Sequence, residues 1–478
     1  MRRELIVLVL LGACAPLSTF TKPEGTGGWS PERRQEEVRT RAEAAGVPLV
    51  PSTDDTTVDP TAPLTLADAL ELARTRSRRI AVAERELDIS RERVWQARGR
   101  LLPGIRGSGR YAAYTDELTT PVVLSPQLAA LAGGAPDVVI REQDFATVNG
   151  TLRVPIDVFG ELTKTLTAAQ AGYRGERARL WATTLDEQLA VVRSYYDLLE
   201  AQRLREVTEL TLELESEQLR QARAREQAGR LMRNEVLVVE VAVQDSEQRL
   251  LQHEIAIESA RWSLNRAIGL PVDAPTSVAD VDDRPDLPTT DEARAEAHEN
   301  NPVIESLLQE QQRLDDLVHA RTAALLPRFD SGATIDYSTA TIVQPQRVGG
   351  GFVGFTWDVD TGGTARAELA EARIAADRQR LAIEAELRRL DVAVRTSRRA
   401  VEERLAALAT AESAIAQAEE NLRIRRQQFD AGRSTSDDVL DAQALLTAQR
   451  ATLATALYEA HVRRAELQQL MGLPLIER

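Results

Sequence analysis

Residues Gly363 to Asp441 read GTARAELAEARIAADRQRLAIEAELRRLDVAVRTSRRAVEERLAALATAESAIAQAEENLRIRRQQFDAGRSTSDDVLD. From Gly363 to Asp430 there is no proline, and no glycine after Gly363 itself. At a rise of ~1.5 Å per residue, one helix of that length is ~100 Å long, several times an ordinary globular helix. Leu387, Val394, Val401, Leu408, Ile415, Leu422 and Phe429 recur on an unbroken stride of seven. A sustained seven-residue repeat is the pattern of a left-handed coiled coil, not of a helix lying on a round core. Ala431-Gly432-Arg433 then reads as a helix stop. Ser434-Thr435-Ser436-Asp437-Asp438 reads as a helix start built of capping residues and acids. The chain is predicted to return as a second helix to about Leu470, giving a long antiparallel coiled-coil hairpin with a sharp tip.

Working outward, the same order of features occurs twice. Thr65-Leu66-Ala67-Asp68-Ala69 opens a helix running to Leu101-Leu102-Pro103, and Thr290-Asp291-Glu292-Ala293 opens one running to Leu325-Leu326-Pro327. Pro302, after Asn300-Asn301, interrupts the second copy and restarts it as a first helical turn. The two Leu-Leu-Pro marks are 327 − 103 = 224 residues apart. Strand-like segments follow, Ile105 to Asp116 and Asp144 to Val158, matched by Arg328 to Ile342 and Gly351 to Val359. Each copy continues with a long helix, about Glu161 to Gln227 and Gly363 to Asp430. Each then turns at Ala-Gly-Arg, which is Ala228-Gly229-Arg230 and Ala431-Gly432-Arg433. The return helices end in Gly269-Leu270-Pro271 and Gly472-Leu473-Pro474, and both glycine pairs are 203 apart (432 − 229 and 472 − 269). The offset falls from 224 because an extra loop, about Thr119 to Val139, sits in the first strand pair.

The expected fold is mostly α with a small β part. An N-terminal segment, 1–13, and an extended lead, 14–63, precede a first repeat, 64–271. A linker, 272–289, joins it to a second repeat, 290–478. In each repeat the short helices stack beside the long one.

In Asp144 to Val158, Ala146, Val148, Leu152, Val154 and Ile156 point one way, and Asn149, Thr151, Arg153 and Asp157 the other. Val353, Phe355, Trp357 and Val359 alternate with Gly354, Thr356 and Asp358. A half-buried soluble sheet alternates so, and so does a membrane barrel with lipid outside and a polar lumen inside. Four strands cannot close a barrel, and open edges cannot sit in lipid. The membrane reading therefore needs several chains, and three would give 3 × 4 = 12 strands.

The 478 residues include 4% aromatic and 28% charged side chains, which favours long helices over a compact enzyme body. A net charge of −15 argues against nucleic acid as a partner; it fits an acidic lumen that would favour cations, and a solvated acidic surface equally well. No apolar run reaches the ~18 residues of a membrane-spanning helix. Met1-Arg2-Arg3 followed by Leu5 to Leu11 reads as an export signal. The sole cysteine, Cys14, ends Leu11-Gly12-Ala13-Cys14, which resembles the bacterial lipoprotein box; Ala15 follows, with no aspartate to retain the product in the inner membrane. One cysteine allows no disulfide within the chain. His253, His298, His319 and His461 are scattered singly, without metal-ligand spacing, and read as helix-surface residues. Gly349-Gly350-Gly351-Phe352-Val353-Gly354 fits a dinucleotide fingerprint formally but leads into a strand rather than a helix. Neither an enzyme nor a bound cofactor or metal is called for.

From about Thr65 to the C-terminus the order and spacing of these marks resemble the TolC family of outer-membrane efflux and secretion factors, and Cys14 is similar to its lipidated members. The resemblance implies a homotrimer, with a 12-stranded barrel in outer-membrane lipid continuous with a helical tube in the periplasm. It implies passage of cargo delivered by an inner-membrane pump through a periplasmic adaptor. It implies that the tips, Gly229-Arg230 and Gly432-Arg433, dock that adaptor. Asp438-Val439-Leu440-Asp441-Ala442 resembles the family stretch that carries the constricting aspartates. Spacing of three puts Asp438 and Asp441 on one helix face, so a trimer would gather them into a periplasmic gate in which clustered charges raise one another's pKa. The first copy has Glu235 and Val238 there (438 − 203 and 441 − 203). The alternative is a lipid-anchored periplasmic coiled-coil scaffold without a pore, which has no use for lipid-facing alternation.

Overall fold

The computed structural model describes residues 63–121, 127, 131, 137–281 and 283–475. The N-terminal segment 1–13, Cys14 and all of the lead but its last residue lie outside the described residues. In chain order the elements are α1 (Leu66–Arg76), α2 (Arg78–Gly99), β1 (Gly104–Ala113), β2 (Leu118–Pro121), β3 (Asp137–Arg141), β4 (Asp144–Ile156), α3 (Glu161–Gln227), α4 (Arg233–Ile268), α5 (Thr290–Asn300), α6 (Pro302–Ala323), β5 (Arg328–Ser338), β6 (Arg347–Thr356), α7 (Thr364–Asp430) and α8 (Ser436–Leu470).

The two repeats superpose in sequence almost residue for residue. Adding 224 carries the bounds of α1 and α2 onto α5 and α6 (66 to 290, 99 to 323), and adding 203 carries α3 onto α7 (161 to 364, 227 to 430). Both long helices have 67 residues, ~100 Å at an α-helical rise. A break that the sequence shows only in the second copy is present in both. Asn301 (ψ 117°) separates α5 from α6 ahead of Pro302, and Ser77 (ψ 120°) separates α1 from α2 with no proline. Ser77 Oγ accepts from the Ile80 amide, and Asn301 Oδ1 from the Val303 and Ile304 amides, so each restarts a helix as its N-cap. The single first helix expected up to Leu101 is therefore two.

The seven-residue stride on α7 is its buried seam. Val394, Val401, Leu408 and Leu422 are buried, and Leu387, Ile415 and Phe429 pack against the same clusters. Leu390, Ala411 and Ala418, three residues further on, are buried too and complete the coiled-coil pattern. The seam meets Ala293, Ala297 and Ile304 of α5 and α6 at one level, and Val439, Ala442 and Leu446 of α8 near the tip. α3 packs against α1, α2, α4, α6 and α8 and so carries both repeats. Burying one such leucine or valine contributes ~1.5–3 kcal/mol, and the tube is a long sum of these.

Mid-way along the helices, Tyr195, Tyr196, Tyr458 and His461 form one aromatic group: Tyr196 stacks on His461 at 4.8 Å and lies 6.2 Å from Tyr458. His461 is only 6% exposed and bonds the Asp283 carbonyl oxygen at 2.7 Å, so it is not the surface residue expected. Tyr195 donates to the Leu64 and Ala279 carbonyls, and Tyr458 to Asp280. Together they pin the segment between the repeats onto α3 and α8.

Four strands form one antiparallel sheet in the order β1-β4-β5-β6, so β1 and β6 are edges. β2 and β3 pair with each other inside what the sequence presents as a plain loop.

Candidate functional site

Strand register decides which side chains share a face of the sheet. On one face Ile105 lies opposite Leu152, Val148 opposite Tyr337, Ser331 opposite Val353 and Phe329 opposite Phe355. This face is apolar and bare within one chain; Ile105 is 86% and Val353 79% exposed. Aromatic rings mark both its ends. Phe329 and Phe355, 6.0 Å apart, stand with Phe159 at the helical end, and Tyr111 and Tyr337 at the far end. Phe329 and Tyr337 are 337 − 329 = 8 residues apart on β5, ~26 Å along the strand at ~3.3 Å per residue. That span of strand matches the ~9–11 residues with which a tilted strand crosses a membrane, and aromatic girdles mark the two interfaces of an outer-membrane barrel. At the far end Tyr111 donates to Asp144 at 3.2 Å, and the Arg347 guanidinium lies 5.7 Å from the centre of the Tyr337 ring. Polar groups thus meet the rings where a membrane would meet water. Among the described residues no helix is long and apolar enough to cross a membrane.

The opposite face is hydrophilic. Arg106 lies opposite Thr151, Ser108 opposite Asn149, Arg110 opposite Thr147, and Thr151 opposite Thr334. Asn149 donates to Asp336, and Arg153 pairs with Asp330 at 3.2 Å.

Two aspartates join the sheet to the tube at equivalent places (360 − 203 = 157). Asp157 accepts from the Leu162 and Thr163 amides, and Asp360 from the Arg366 amide. Each satisfies free amides in the first turn of a long helix whose N-cap is a left-handed glycine, Gly160 or Gly363. Burial works to raise the Asp157 pKa, but the bonds from Thr163 and the neighbouring amides hold it below its ordinary value. The sequence carries this signal as Asp157-x-x-Gly160 and Asp360-x-x-Gly363, a spacing that strand and helix periodicity alone do not reveal.

At the other end the tips are two copies of one turn. Gly229 (φ 69°) and Gly432 (φ 69°) are left-handed. The Arg230 amide bonds the Arg225 carbonyl and the Arg433 amide the Gln428 carbonyl, both at 2.8 Å, closing the helix with a six-to-one bond around a glycine. Arg230 and Arg433 are exposed, and their side chains make no ion pair or hydrogen bond among the described residues. The tips are also joined to each other. Arg225 of α3 bonds Asp430 of α7 at 2.7 Å, and Ser436 at the start of α8 bonds Glu235 at the start of α4 at 3.4 Å. Neither link is visible from one-dimensional spacing.

Asp438 and Asp441 flank the buried Val439 and Ala442 on the first turns of α8. Asp438 closes a capping box with Thr435. Its Oδ2 accepts from the Thr435 amide and hydroxyl, each at 2.9 Å, and from Ser434 Oγ at 2.8 Å. The Thr435 amide first, then these hydroxyls, pull its pKa down to about 2. A carboxylate bonded by three donors is stabilised in its charged form; the rise expected of clustered acids belongs to an assembled ring, not to one protomer. Asp441 is exposed and makes no ion pair or hydrogen bond among the described residues.

Residues 69–270 and 293–473 match the outer membrane efflux protein family. The chain belongs to that family. As an outer membrane efflux protein it has the expected two-repeat fold, and known structures share it. VceC, an outer membrane protein of Vibrio cholerae, is 17% identical with a TM-score of 0.73, over 86% of this chain and 97% of its own. The CmeC outer membrane channel of Campylobacter jejuni is 14% identical with a TM-score of 0.71, over 85% of each chain. The MtrE outer membrane channel of Neisseria gonorrhoeae, in its open state, is 18% identical with a TM-score of 0.70, over 86% of this chain and 89% of its own. No curated protein matches this efflux protein in sequence.

Proposed function

We propose that three copies of this efflux protein close a ring, pooling four strands each (3 × 4 = 12) into an outer-membrane barrel continuous with a periplasmic tube. The assembly is a passive exit duct for solutes delivered by an inner-membrane pump through a periplasmic adaptor. The observation that carries this reading is the sheet itself: an apolar face of membrane height, a polar face behind it, and two unpaired edges that lipid would not tolerate.

The helices support the ring. Pairing β6 of one copy with β1 of the next brings α7, which follows β6, beside α2, which precedes β1. Both carry exposed apolar side chains seven residues apart, Ile374 and Leu381 on α7 and Val82 and Ile89 on α2. Different surfaces meeting head to tail close into a ring when the rotation allows. A pore-free scaffold would have no use for the apolar band.

The remaining assignments belong to the same reading. Residues 1–13 direct export, 14–63 form the lead, and 64–271 and 290–478, joined by 272–289, form the two halves of each protomer. Cys14 carries lipid that adds to the hold of the barrel on the membrane. Gly229, Arg230, Gly432 and Arg433 dock the adaptor, and Asp438 and Asp441 close the periplasmic end.

Native mass and single-channel conductance of the purified protein test the function: a trimer that conducts in planar bilayers is expected, and a monomer, or protein that never conducts even with Asp438 and Asp441 neutralised, overturns it. Cys14→Ser protein should stay in the membrane fraction; wholly soluble mutant would remove the barrel.

A further inference from the structure

We infer that the barrel section of the duct is lined by an uncompensated ring of arginines, Arg106 and Arg110 of each copy, and so favours anionic solutes. The inference rests on the three-copy barrel proposed above.

The lumen face carries Arg106, Arg110, Arg153 and Arg328 against Asp330 and Asp336. Arg153 is paired with Asp330 at 3.2 Å, and Arg328 with Glu161 of α3 at 2.9 Å. Asp336 takes its hydrogen bond from Asn149. Arg106 and Arg110, both exposed on the edge strand β1, make no ion pair or hydrogen bond among the described residues. With those pairs set aside, Arg106 and Arg110 against Asp336 leave one net positive charge per copy within the strands, on β1; the polar-face acids Asp157 and Asp358 lie past the strand ends, on the tube side.

The neighbouring copy supplies no acid within its strand. The strand that closes against β1 is β6, whose lumen face presents Val348, Gly350, Phe352, Gly354 and Thr356. There is no acid among them, and the two glycines leave room for long side chains to lie across the boundary. The net charge of −15 for the whole chain, which fits a cation-favouring lumen and a solvated surface equally, therefore does not describe this section.

Magnitudes say when the ring matters. Twelve strands ~4.8 Å apart and tilted ~40° enclose a backbone circle of ~24 Å diameter, so the axis lies ~12 Å from the wall. The Debye length is ~10 Å at 0.1 M salt and ~3 Å at 1 M. The field reaches the axis in the first case and not in the second. Guanidinium stays charged at every working pH and binds carboxylate or phosphate with two parallel hydrogen bonds. The favoured solutes are organic anions bearing carboxylate, sulfonate or phosphate.

The trimer is reconstituted in planar bilayers, and inositol hexakisphosphate is added to each side in turn, for wild type and for Arg106→Gln/Arg110→Gln. At 0.1 M salt the polyanion should block wild type, and the double variant at least ~tenfold more weakly, the low end of the focusing effect of a charged cleft. At 1 M salt both should conduct alike and unblocked. If the double variant forms no channel, Arg106→Gln and Arg110→Gln are measured singly, and each should lose part of the block. Wild-type channels that the polyanion never blocks, or block that the variants retain in full, overturn the inference and leave the duct standing. Protein that does not conduct even with Asp438 and Asp441 neutralised overturns the duct itself.

Discussion

Arg225, near the end of the first long helix, bonds the Asp430 carboxylate at the end of the second at 2.7 Å and lies 4.7 Å from the centre of the Phe429 ring. One side chain of the first repeat thus clasps the tip of the second. The pair is exposed, and such pairs contribute ~0–1 kcal/mol. Arg225→Ala should leave the melting temperature of the trimer almost unchanged yet raise its resting conductance, because only the weaker Ser436–Glu235 bond then ties the two tips. The exchange Arg225→Asp with Asp430→Arg should bring the conductance back down. Resting currents equal in all three proteins would show that the clasp restrains nothing.

Two left-handed glycines should differ sharply in tolerance. Around Gly432 (φ 69°) an added Cβ meets nothing within 4 Å, whereas at Gly472 (φ 72°) it would stand 2.1 Å from the Asn300 carbonyl oxygen. Gly432→Ala should cost only the backbone conformation, ~1–2 kcal/mol. Gly472→Ala must also push α8 away from the α5–α6 break, and should lower the urea midpoint of the helical signal considerably further. Equal midpoints would mean that this contact is soft.

Acid should loosen the second tip. The folded pKa of Asp438, about 2, lies below its unfolded value of 3.8. Its contribution is therefore complete above about pH 4 and is lost as pH falls toward 2. Hydrogen exchange of the Thr435 amide, corrected for intrinsic rate, should accelerate across that window in wild type. In Asp438→Ala it should be fast throughout. A wild-type amide that stays protected at pH 2 would show that something other than the capping box holds the turn.

The sequence was legible where local chemistry repeats. Seven-residue spacing disclosed the seam of α7, and two Ala-Gly-Arg turns disclosed the tips. It failed where a structure depends on partners distant in sequence. Ser77 breaks a helix as cleanly as Asn301-Pro302 does, but a serine on a helix surface looks ordinary. The β2–β3 pairing is hidden in a stretch of Pro, Ala, Leu and Gly. Thr435 and Asp438 were readable as a helix start, yet like-charge repulsion was expected to dominate Asp438. Within the protomer, where no second copy bears on it, three donors at under 3 Å hold its carboxylate charged.

The tip arginines should be dispensable for folding and needed for docking. The backbone turns are closed by their amides, while the guanidinium groups of Arg230 and Arg433 remain exposed. A charged hydrogen bond contributes ~1.5–3 kcal/mol, about tenfold or more in affinity. Arg433→Glu should weaken binding of the cognate adaptor by that factor with an unaltered melting temperature, and Arg230→Glu likewise. Adaptor affinity unchanged in both would remove docking from the tips.

The two acids of the second tip should separate in function. Three copies would bring 3 × 2 = 6 carboxylates round the axis, but Asp438 spends its Oδ2 on Thr435 and Ser434. Asp441, one turn on and exposed, has a carboxylate free to face the lumen. A multivalent cation entering from the periplasmic side therefore finds the unbonded carboxylate at Asp441, and its attraction there scales with the product of the charges. Hexamminecobalt(III) should block conductance from that side only. Asp441→Asn should weaken the block at least ~tenfold, as expected for removing the focusing charge of a cleft. Asp438→Asn should weaken it much less while loosening the helix start. The double variant Asp438→Ala/Asp441→Ala should lose the block altogether, and full block persisting there would take the gate away from this turn. A larger effect of Asp438→Asn than of Asp441→Asn would keep the gate here but place it on the wrong carboxylate, meaning that the capping box opens when the ring assembles.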